Sequence, residues 1–361
     1  MAVWRRIMGW WGLILFTAAM TVSCGLVTPQ PTTILAPAVA TDCRQVSHDW
    51  GETEICGQPQ KIAVFGFHNL GLLLSLGVQP AGFAMDADLL GEEVFEDPVR
   101  QIPYLGDRLT TQPLNLGGSG RPSLEKLTIM APDLILGHGG NAQSYDLLTQ
   151  IAPTLLVSSP GFKDQWQDNL RAIAQVLGKE DQAEALIAAQ AAKVVETRAA
   201  LADAVKAHPK LLMIGSTSLE DRMFTIGPDS YLGKLVESVG FELVSPPTPF
   251  STVGSPVSLE ILPELDEADS IILLGYNRDV KALTEASQDD FADQSPADWL
   301  ENHQIQPIQA SWRESAIAQT LTANKENRVY FVTYARWGLL NNPIGAELVL
   351  SQLQQFFLEA S

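Results

Sequence analysis

Three arginines stand beside expected strand ends, where they could bind acidic oxygens. Arg121 follows a glycine-rich turn, Arg222 comes shortly after an apolar run, and Arg336 follows another apolar run. The planar guanidinium group donates paired hydrogen bonds, which suits carboxylate or hydroxamate oxygens. Surface ion pairs are the ordinary alternative for each arginine taken alone. Their shared position at strand ends favours binding of a small acidic molecule.

Aromatic and polar side chains occupy similar positions. The set comprises Phe67, His68, Asn69, His138, Trp312, Tyr334 and Trp337. Aromatic walls suit an organic ligand skeleton, and core packing is the alternative for each ring. Trp312 follows a polar stretch and could line a cleft or cover a lobe. A single histidine is more often structural, so His68 and His138 are weaker candidates.

Alternating elements must position these side chains. Lys61–Phe65 and Leu134–Leu136 are predicted strands, and the helix predicted over Ser123–Met130 precedes the second of them. Such alternation predicts α/β architecture with parallel sheets. Ligands of parallel sheets bind beyond the carboxyl ends of the strands, which is where the candidates lie.

A long helix is predicted in the middle of the chain. Residues Glu180–Ala207 contain no Gly or Pro and are rich in Ala, Gln, Glu and Leu. At 1.5 Å per residue the helix would be about 42 Å long. A new α/β series begins after it, so we expect it to bridge two lobes; packing on one domain is the alternative. Further on, Val280–Pro307 is expected to contain loops and a short helix.

A short repeat supports two similar halves. Ser123-Leu124-Glu125-Lys126-Leu127 recurs as Ser258-Leu259-Glu260-Ile261-Leu262, and each copy leads into an apolar strand that ends in glycine. Repetition of one unit in both halves predicts two related lobes.

The first residues are typical of an export signal. Two arginines precede an apolar stretch that ends in small residues, so we assign 1–23 to a signal peptide. Ser23-Cys24 resembles the end of a lipoprotein cleavage box, with Cys24 as the lipidated residue; plain cleavage is the alternative. The Pro-, Thr- and Ala-rich segment 24–41 is predicted to be a flexible tether.

Two further cysteines, Cys43 and Cys56, enclose a short loop. Export would place them in an oxidising compartment, which favours a disulfide; a free buried pair is the alternative. The net charge of −19, from 23 basic and 42 acidic residues, disfavours nucleic acid as a partner.

Several segments resemble one family in their order and spacing. The matching segments are Asp42-Cys43-Arg44, Gly51-Glu52-Thr53, Pro59-Gln60-Lys61-Ile62, Leu76-Gly77-Val78-Gln79-Pro80, Leu124-Glu125-Lys126-Leu127, Pro132-Asp133-Leu134-Ile135, Asn327-Arg328-Val329-Tyr330-Phe331-Val332 and the helix after Pro343. From Asp42 onward the chain resembles the periplasmic receptors for ferric siderophores and cobalamin that serve ABC importers.

This resemblance implies two α/β lobes joined by one long helix, with a ligand cleft between them. The first lobe would span 42–162, helices including the linker 180–207 would fill 163–207, and the second lobe would span 208–361. We expect such a protein to be a monomer without enzymatic activity. The expected ligand is a ferric siderophore of the hydroxamate or citrate type, with iron carried inside the ligand and no further cofactor.

The resemblance also implies partners and a location. Glu125 and Glu260 would dock on arginines of the permease, which works with its ATPase; stabilisation of a first helical turn is the ordinary alternative for each glutamate. The receptor would stand on the periplasmic side of the cytoplasmic membrane, anchored by lipid at Cys24.

Two alternatives remain open. A cobalamin or haem receptor of the same fold would rely on the aromatic residues more than on the arginines. An exported two-lobed metal-cluster enzyme or scaffold shares the architecture. The small number of cysteines argues against the second alternative, since the chain has three.

Overall fold

The computed structural model describes residues 43–85, 94–158, 165–247, 249–251, 254–277 and 296–358. These residues form two lobes, each containing one six-stranded β-sheet and several helices. The signal segment, the tether with Cys24 and the part of the acidic stretch before residue 296 lie outside the described residues. Among those described, no helix has the length and apolar character needed to cross a bilayer.

An N-terminal hairpin precedes the first sheet. Its strands β1 (Cys43–His48) and β2 (Gly51–Cys56) pair antiparallel, and their outer ends are joined by a disulfide between Cys43 and Cys56. The Thr53 hydroxyl donates to the backbone oxygen of Thr154, and Arg44 donates to that of Val176. These bonds attach the hairpin to the first lobe.

The first lobe has a mixed sheet. Its strands are β3 (Ile62–Phe65), β4 (Gly82–Met85), β5 (Leu114–Gly118), β6 (Arg121–Pro122), β7 (Leu134–His138) and β8 (Thr154–Val157). The order is β6-β5-β4-β3-β7-β8, parallel except for β6 beside β5. We predicted a parallel sheet. The antiparallel edge arises because two residues connect β5 to β6, whereas a parallel crossover needs a dozen or more.

Helices of the first lobe follow the strands. They are α1 (Phe67–Ser75), α2 (Pro98–Gln101), α3 (Leu124–Met130) and α4 (Tyr145–Thr149), with 3-10 helices at Gly106–Arg108 and Gly139–Ser144. Ser123 caps α3, because its hydroxyl accepts from the backbone N–H of Lys126.

Three helices connect the two sheets: α5 (Trp166–Leu177), α6 (Glu180–Ala200) and α7 (Ala202–Ala207). The single helix predicted over 180–207 is therefore interrupted at Leu201, whose side chain is fully buried. Helix α6 alone is about 32 Å long. It packs against α5 and against two helices of the second lobe, residues 231–239 and 343–358.

The second lobe repeats the parallel centre of the first. Its strands are β9 (Lys210–Ser216), β10 (Met223–Ile226), β11 (Glu242–Leu243), β12 (Gly254–Val257), β13 (Ser270–Gly275) and β14 (Val329–Thr333). The order is β12-β10-β9-β13-β14, and β11 also pairs with β9. Strands β9, β13 and β14 are parallel, whereas β10 and β12 form an antiparallel edge.

Helices of the second lobe are α8 (Tyr231–Val239), α9 (Pro296–Glu314), α10 (Thr322–Lys325), α11 (Tyr334–Gly338) and α12 (Pro343–Leu358), with 3-10 helices at Leu259–Leu265 and Ala318–Thr320. We expected a short helix before Pro307, and its expected length was wrong. Helix α9 has 19 residues and continues past Pro307 to Glu314.

Strand side chains alternate between separate cores. Leu211 and Met213 belong to a cluster that contains residues of both lobes, whereas Leu212 and Ile214 belong to a cluster of the second lobe. This alternation follows from the two-residue period of a strand. The shared cluster joins the lobes by apolar packing, which opposes large relative movement.

Candidate ligand-binding site

An aromatic cluster lies at the carboxyl edge of the second sheet. Tyr276 follows β13, Tyr334 follows β14, and Phe224 lies near the start of β10, which runs antiparallel to its neighbour β9. The ring centres of Tyr276 and Tyr334 are 4.5 Å apart at 83°. Phe224 is 5.9 Å from Tyr276 and 6.2 Å from Tyr334, again edge to face. This geometry is favourable for aromatic rings.

Gly215 provides the space that Phe224 occupies. A Cβ atom at position 215 would come within 2.3 Å of the Phe224 ring. Glycine therefore allows the ring to lie across β9 beside the strand ends.

A groove of about 440 Å³ borders this cluster. It is lined by the strand and loop residues Arg222–Ile226, Ser230–Leu232, Phe250, Ser251 and Gly254–Pro256, together with Tyr334, Gly338 and Asn341. Phe250 is 85% exposed. Its ring is therefore accessible to a ligand in the groove.

Most hydroxyls of the groove serve the protein itself. Ser230 accepts from the backbone N–H of Gly233 at 2.9 Å and thereby caps α8. Ser255 accepts from the backbone N–H of Phe250 at 2.8 Å. Arg222 differs: it is exposed and has no ion pair with any described residue. Among the described residues that line the groove it is the one charged side chain, so we expect it to bind acidic oxygens.

Arg336 already has an acidic partner. Its guanidinium group forms an ion pair with Glu301 of α9 and lies 5.3 Å from the ring centre of Tyr104 in the first lobe. Arg336 therefore lies where the lobes meet, and Glu301 neutralises it. Sequence reasoning selected the arginine but gave no sign of this carboxylate.

The sequence profile described as periplasmic binding protein matches residues 71–334. The chain belongs to the periplasmic binding protein family.

Two relatives of this binding protein come from Bacillus subtilis. YhfQ, named as an ABC transporter substrate-binding lipoprotein, is 27% identical over 318 residues, which cover 86% of this chain and 87% of YhfQ. The Fe(3+)-citrate-binding protein YfmC is 25% identical over 230 residues, which cover 63% of this chain and 68% of YfmC.

A solved structure supports the fold. The binding protein SirA of Staphylococcus aureus, complexed with staphyloferrin B, superposes with a TM-score of 0.63 at 22% identity. The superposition covers 86% of this chain and 97% of the SirA chain. The similarity confirms the two-lobed α/β architecture predicted from the sequence.

Two tryptophans of the binding protein are buried. Trp337 is fully buried and its ring N–H donates to Gln352 at 2.7 Å. Trp312 lies in the outer core of the second lobe and donates to Asn324 at 2.9 Å. We therefore assign both rings to packing rather than to a ligand wall.

The candidates that follow β3 are also buried. Asn69 donates to the backbone oxygen of Gly137 at 2.9 Å, and Phe67 packs edge to face against Phe83. Asn169 donates to His68 Nε2 at 2.9 Å. Burial lowers the pKa of His68 to about 4, and nearby His138 acts in the same direction. His68 is therefore neutral and accepts an internal hydrogen bond, and the burial of all three residues supports a packing role for them.

His138 and Arg121 are more accessible to solvent than the buried candidates that follow β3. His138 Nδ1 accepts from the backbone N–H of Gly140 at 3.1 Å and caps the 3-10 helix that follows β7. This bond orients the ring. Arg121 is exposed at the start of β6 and has no ion pair among the described residues. It stays a candidate on the first lobe.

Glu125 and Glu260 are both exposed at the starts of helical segments, as the sequence repeat predicts. The two copies differ, since the first forms an α-helix and the second a 3-10 helix. Pro263 lies inside the second copy, where it removes one backbone N–H donor. A hydrogen bond from Ser258 lowers the pKa of Glu260 below its ordinary value.

Several residues of the site were not selected from the sequence. Tyr276 follows a strand in the same way as Tyr334, so the strand-end rule could have found it. Phe250, Tyr104 and Glu301 carry no such signal, because their positions depend on tertiary packing. Among the described residues, Cys43, Glu54 and Cys56 are close enough to share a metal ion. The disulfide removes both thiols as ligands.

Proposed function

We propose that this binding protein captures a ferric siderophore outside the cytoplasmic membrane and delivers it to an ABC importer. The observation that carries the proposal is Arg222 at the rim of an aromatic groove. The guanidinium group would bind oxygens of the chelate, and Phe224, Tyr334 and Phe250 would contact its organic skeleton. The name of YhfQ supports a role in transport, and the name of YfmC supports a ligand that contains iron.

The chelate is of the hydroxamate or citrate type in this proposal. Iron is carried inside the ligand, so the protein needs no cofactor and performs no chemical conversion. Membership of the periplasmic binding protein family supports a binding role.

A cobalamin or haem receptor is the second candidate. One observation favours it: among the described residues that line the groove, Arg222 is the one charged side chain. A large ligand of low charge would use the aromatic walls of such a groove more than its cations.

Delivery would use the two exposed glutamates. We propose that Glu125 on the first lobe and Glu260 on the second bind arginines of the permease, whose ATPase drives release. Two separated carboxylates would define one orientation of docking. Lipid attachment at Cys24 would hold the monomer at the membrane surface.

Ligand titration tests this proposal. The body from Asp42 onward is titrated with a ferric tris-hydroxamate, ferric citrate, cobalamin and haemin. Tryptophan fluorescence with inner-filter controls and the melting temperature are recorded. Saturable binding of a ferric chelate supports the siderophore function. Binding of cobalamin or haemin alone would assign the second candidate, and binding of none would contradict both.

A further inference from the structure

A polar cluster joins the lobes next to the groove. Tyr104 comes from the first lobe, whereas Glu301, Thr333 and Arg336 come from the second; we call these four residues the Arg336 cluster. The phenol oxygen of Tyr104 lies 3.4 Å from Glu301 Oε1 and 3.3 Å from Thr333 Oγ1. The Arg336 guanidinium group pairs with Glu301 and faces the Tyr104 ring.

The cluster borders the ligand groove through the backbone of α11. Thr333 Oγ1 accepts from the backbone N–H of Arg336 and fixes the start of this helix. Tyr334, the next residue, lines the groove and contacts Phe224 and Tyr276. Arg336 is thus two residues after Tyr334, which lines the groove. Both residues belong to α11, whose first turn is capped by Thr333.

The ion pair is accessible and incompletely satisfied. The side chains of Arg336 and Glu301 expose 26% and 23% of their surface, so a small anion can approach them. Arg336 Nε is buried and has no hydrogen-bond acceptor among the described residues. An ion pair that leaves a donor unsatisfied is easier to replace than a fully bonded one.

Tyr104 and its surroundings position the carboxylate. Burial raises the pKa of Tyr104 well above its ordinary value, which keeps the phenol neutral as a hydrogen-bond donor. Burial likewise raises the pKa of Glu301, and Arg336 opposes that shift. The backbone of Tyr104 has a φ of 64°, a rare conformation for this residue type. Packing therefore holds the phenol against Glu301.

We propose that Glu301 is a specificity-determining counter-ion that keeps Arg336 from binding an acidic group of the ligand. This inference rests on the proposed function and restricts its ligand class. With Glu301 present, a carboxylate of the ligand must displace an internal carboxylate and approach its negative charge. A chelate without a free carboxylate has no such penalty, so the site favours ferric hydroxamates over ferric citrate.

Substitution Glu301→Gln tests the counter-ion. Glutamine keeps the size of the side chain and removes its charge, leaving Arg336 uncompensated. We expect ferric citrate to bind roughly tenfold more tightly to this variant than to the wild type. Binding of a neutral ferric tris-hydroxamate should stay unchanged. The control Glu314→Gln removes a carboxylate from the other end of α9 and should change neither affinity.

The double variant Glu301→Gln/Arg336→Gln separates the counter-ion from general charge effects. It should lose the gain for ferric citrate, because no guanidinium group remains to bind the ligand. Equal changes for both chelates, or a gain that persists without Arg336, would overturn the inference. Circular dichroism and thermal melting identify any variant that fails to fold.

Iron-free citrate makes the test independent of the proposed function. Citrate should raise the melting temperature of Glu301→Gln, but not that of the wild type or the double variant. If the wild type binds no ferric chelate while this pattern appears, the proposed function fails and the counter-ion stands. If the wild type binds a chelate but citrate does not stabilise Glu301→Gln, the counter-ion fails alone.

Discussion

The backbone of Gly71 in α1 lies directly against the side-chain amide of Asn342 at the start of α12. A Cβ atom at position 71 would come within 2.3 Å of Asn342 Nδ2. Asn342 is fully buried, and its Oδ1 accepts from the backbone N–H of Gly345 at 3.0 Å. The amide therefore cannot turn away without losing the bond that caps α12. This contact packs α1 of the first lobe closely against the start of α12 in the second.

Gly71→Ala should destabilise the protein because the added methyl group overlaps Asn342. We expect a loss of about 1–3 kcal/mol in the free energy of unfolding, as for other overpacked sites. Urea denaturation followed by circular dichroism measures it. Gly120→Ala is the matched control, since no atom lies within 4 Å of a Cβ at that position. Equal stability of both variants would show that Asn342 accommodates the methyl group without cost and that the contact is not tight.

Arg222→Gln should weaken binding of the ferric chelate by about tenfold, because a charge-assisted hydrogen bond is lost. Fluorescence titration measures the Kd. The control is Arg171→Gln, which removes an arginine that pairs with Glu184 on the connecting helices. A loss of affinity in the control alone would place the ligand elsewhere.

Glu125→Ala combined with Glu260→Ala should abolish uptake and leave ligand affinity intact. Both carboxylates are exposed and neither lines the groove. Uptake of radioactive iron by cells is measured together with the Kd of the purified variant. Glu196→Ala removes an exposed carboxylate of α6 and should leave uptake normal. Normal uptake by the double variant would rule out the proposed dock.

Replacing both Cys43 and Cys56 by serine should lower the free energy of unfolding by about 3 kcal/mol. A cross-link that closes a loop of this length restricts the unfolded chain by roughly that amount. Denaturation with and without a thiol reductant measures the effect. The reductant should destabilise the wild type and leave the double variant unchanged. Ligand affinity should not change, because the hairpin does not line the groove.

Protonation of His68 should make the protein less stable in mild acid. Its ordinary pKa is 6.5 and burial lowers the native value to about 4. Between these values the unfolded chain binds more protons, so stability is lost as the pH falls through that window. The shift corresponds to about 3 kcal/mol at most.

His68→Asn should reduce the slope of stability against pH between 4 and 6.5. Urea denaturation of the variant and of the wild type at several pH values measures the two slopes. An unchanged slope in His68→Asn would assign the acid sensitivity to other groups.

The sequence alone determined most of the local structure. The strands predicted over Lys61–Phe65 and Leu134–Leu136 and the helix predicted over Ser123–Met130 were found within two residues of those bounds, because each is a short apolar or helix-forming run between clear start and stop residues. The repeat of Ser123–Leu127 at Ser258–Leu262 indicated two lobes. These features depend on residues close together in the chain, which is why the sequence reveals them.

Tertiary structure decided which candidate side chains are available to a ligand. Arg222 and Arg336 are alike in the sequence, yet the first is exposed and the second is neutralised by Glu301. Trp312 follows a polar segment and Trp337 follows a strand, which are positions where an aromatic ring could line a ligand cleft. Both side chains are nevertheless buried. Burial and ion pairing depend on contacts between residues far apart in the chain. The local pattern could therefore nominate the site but could not separate its binding residues from its packing residues.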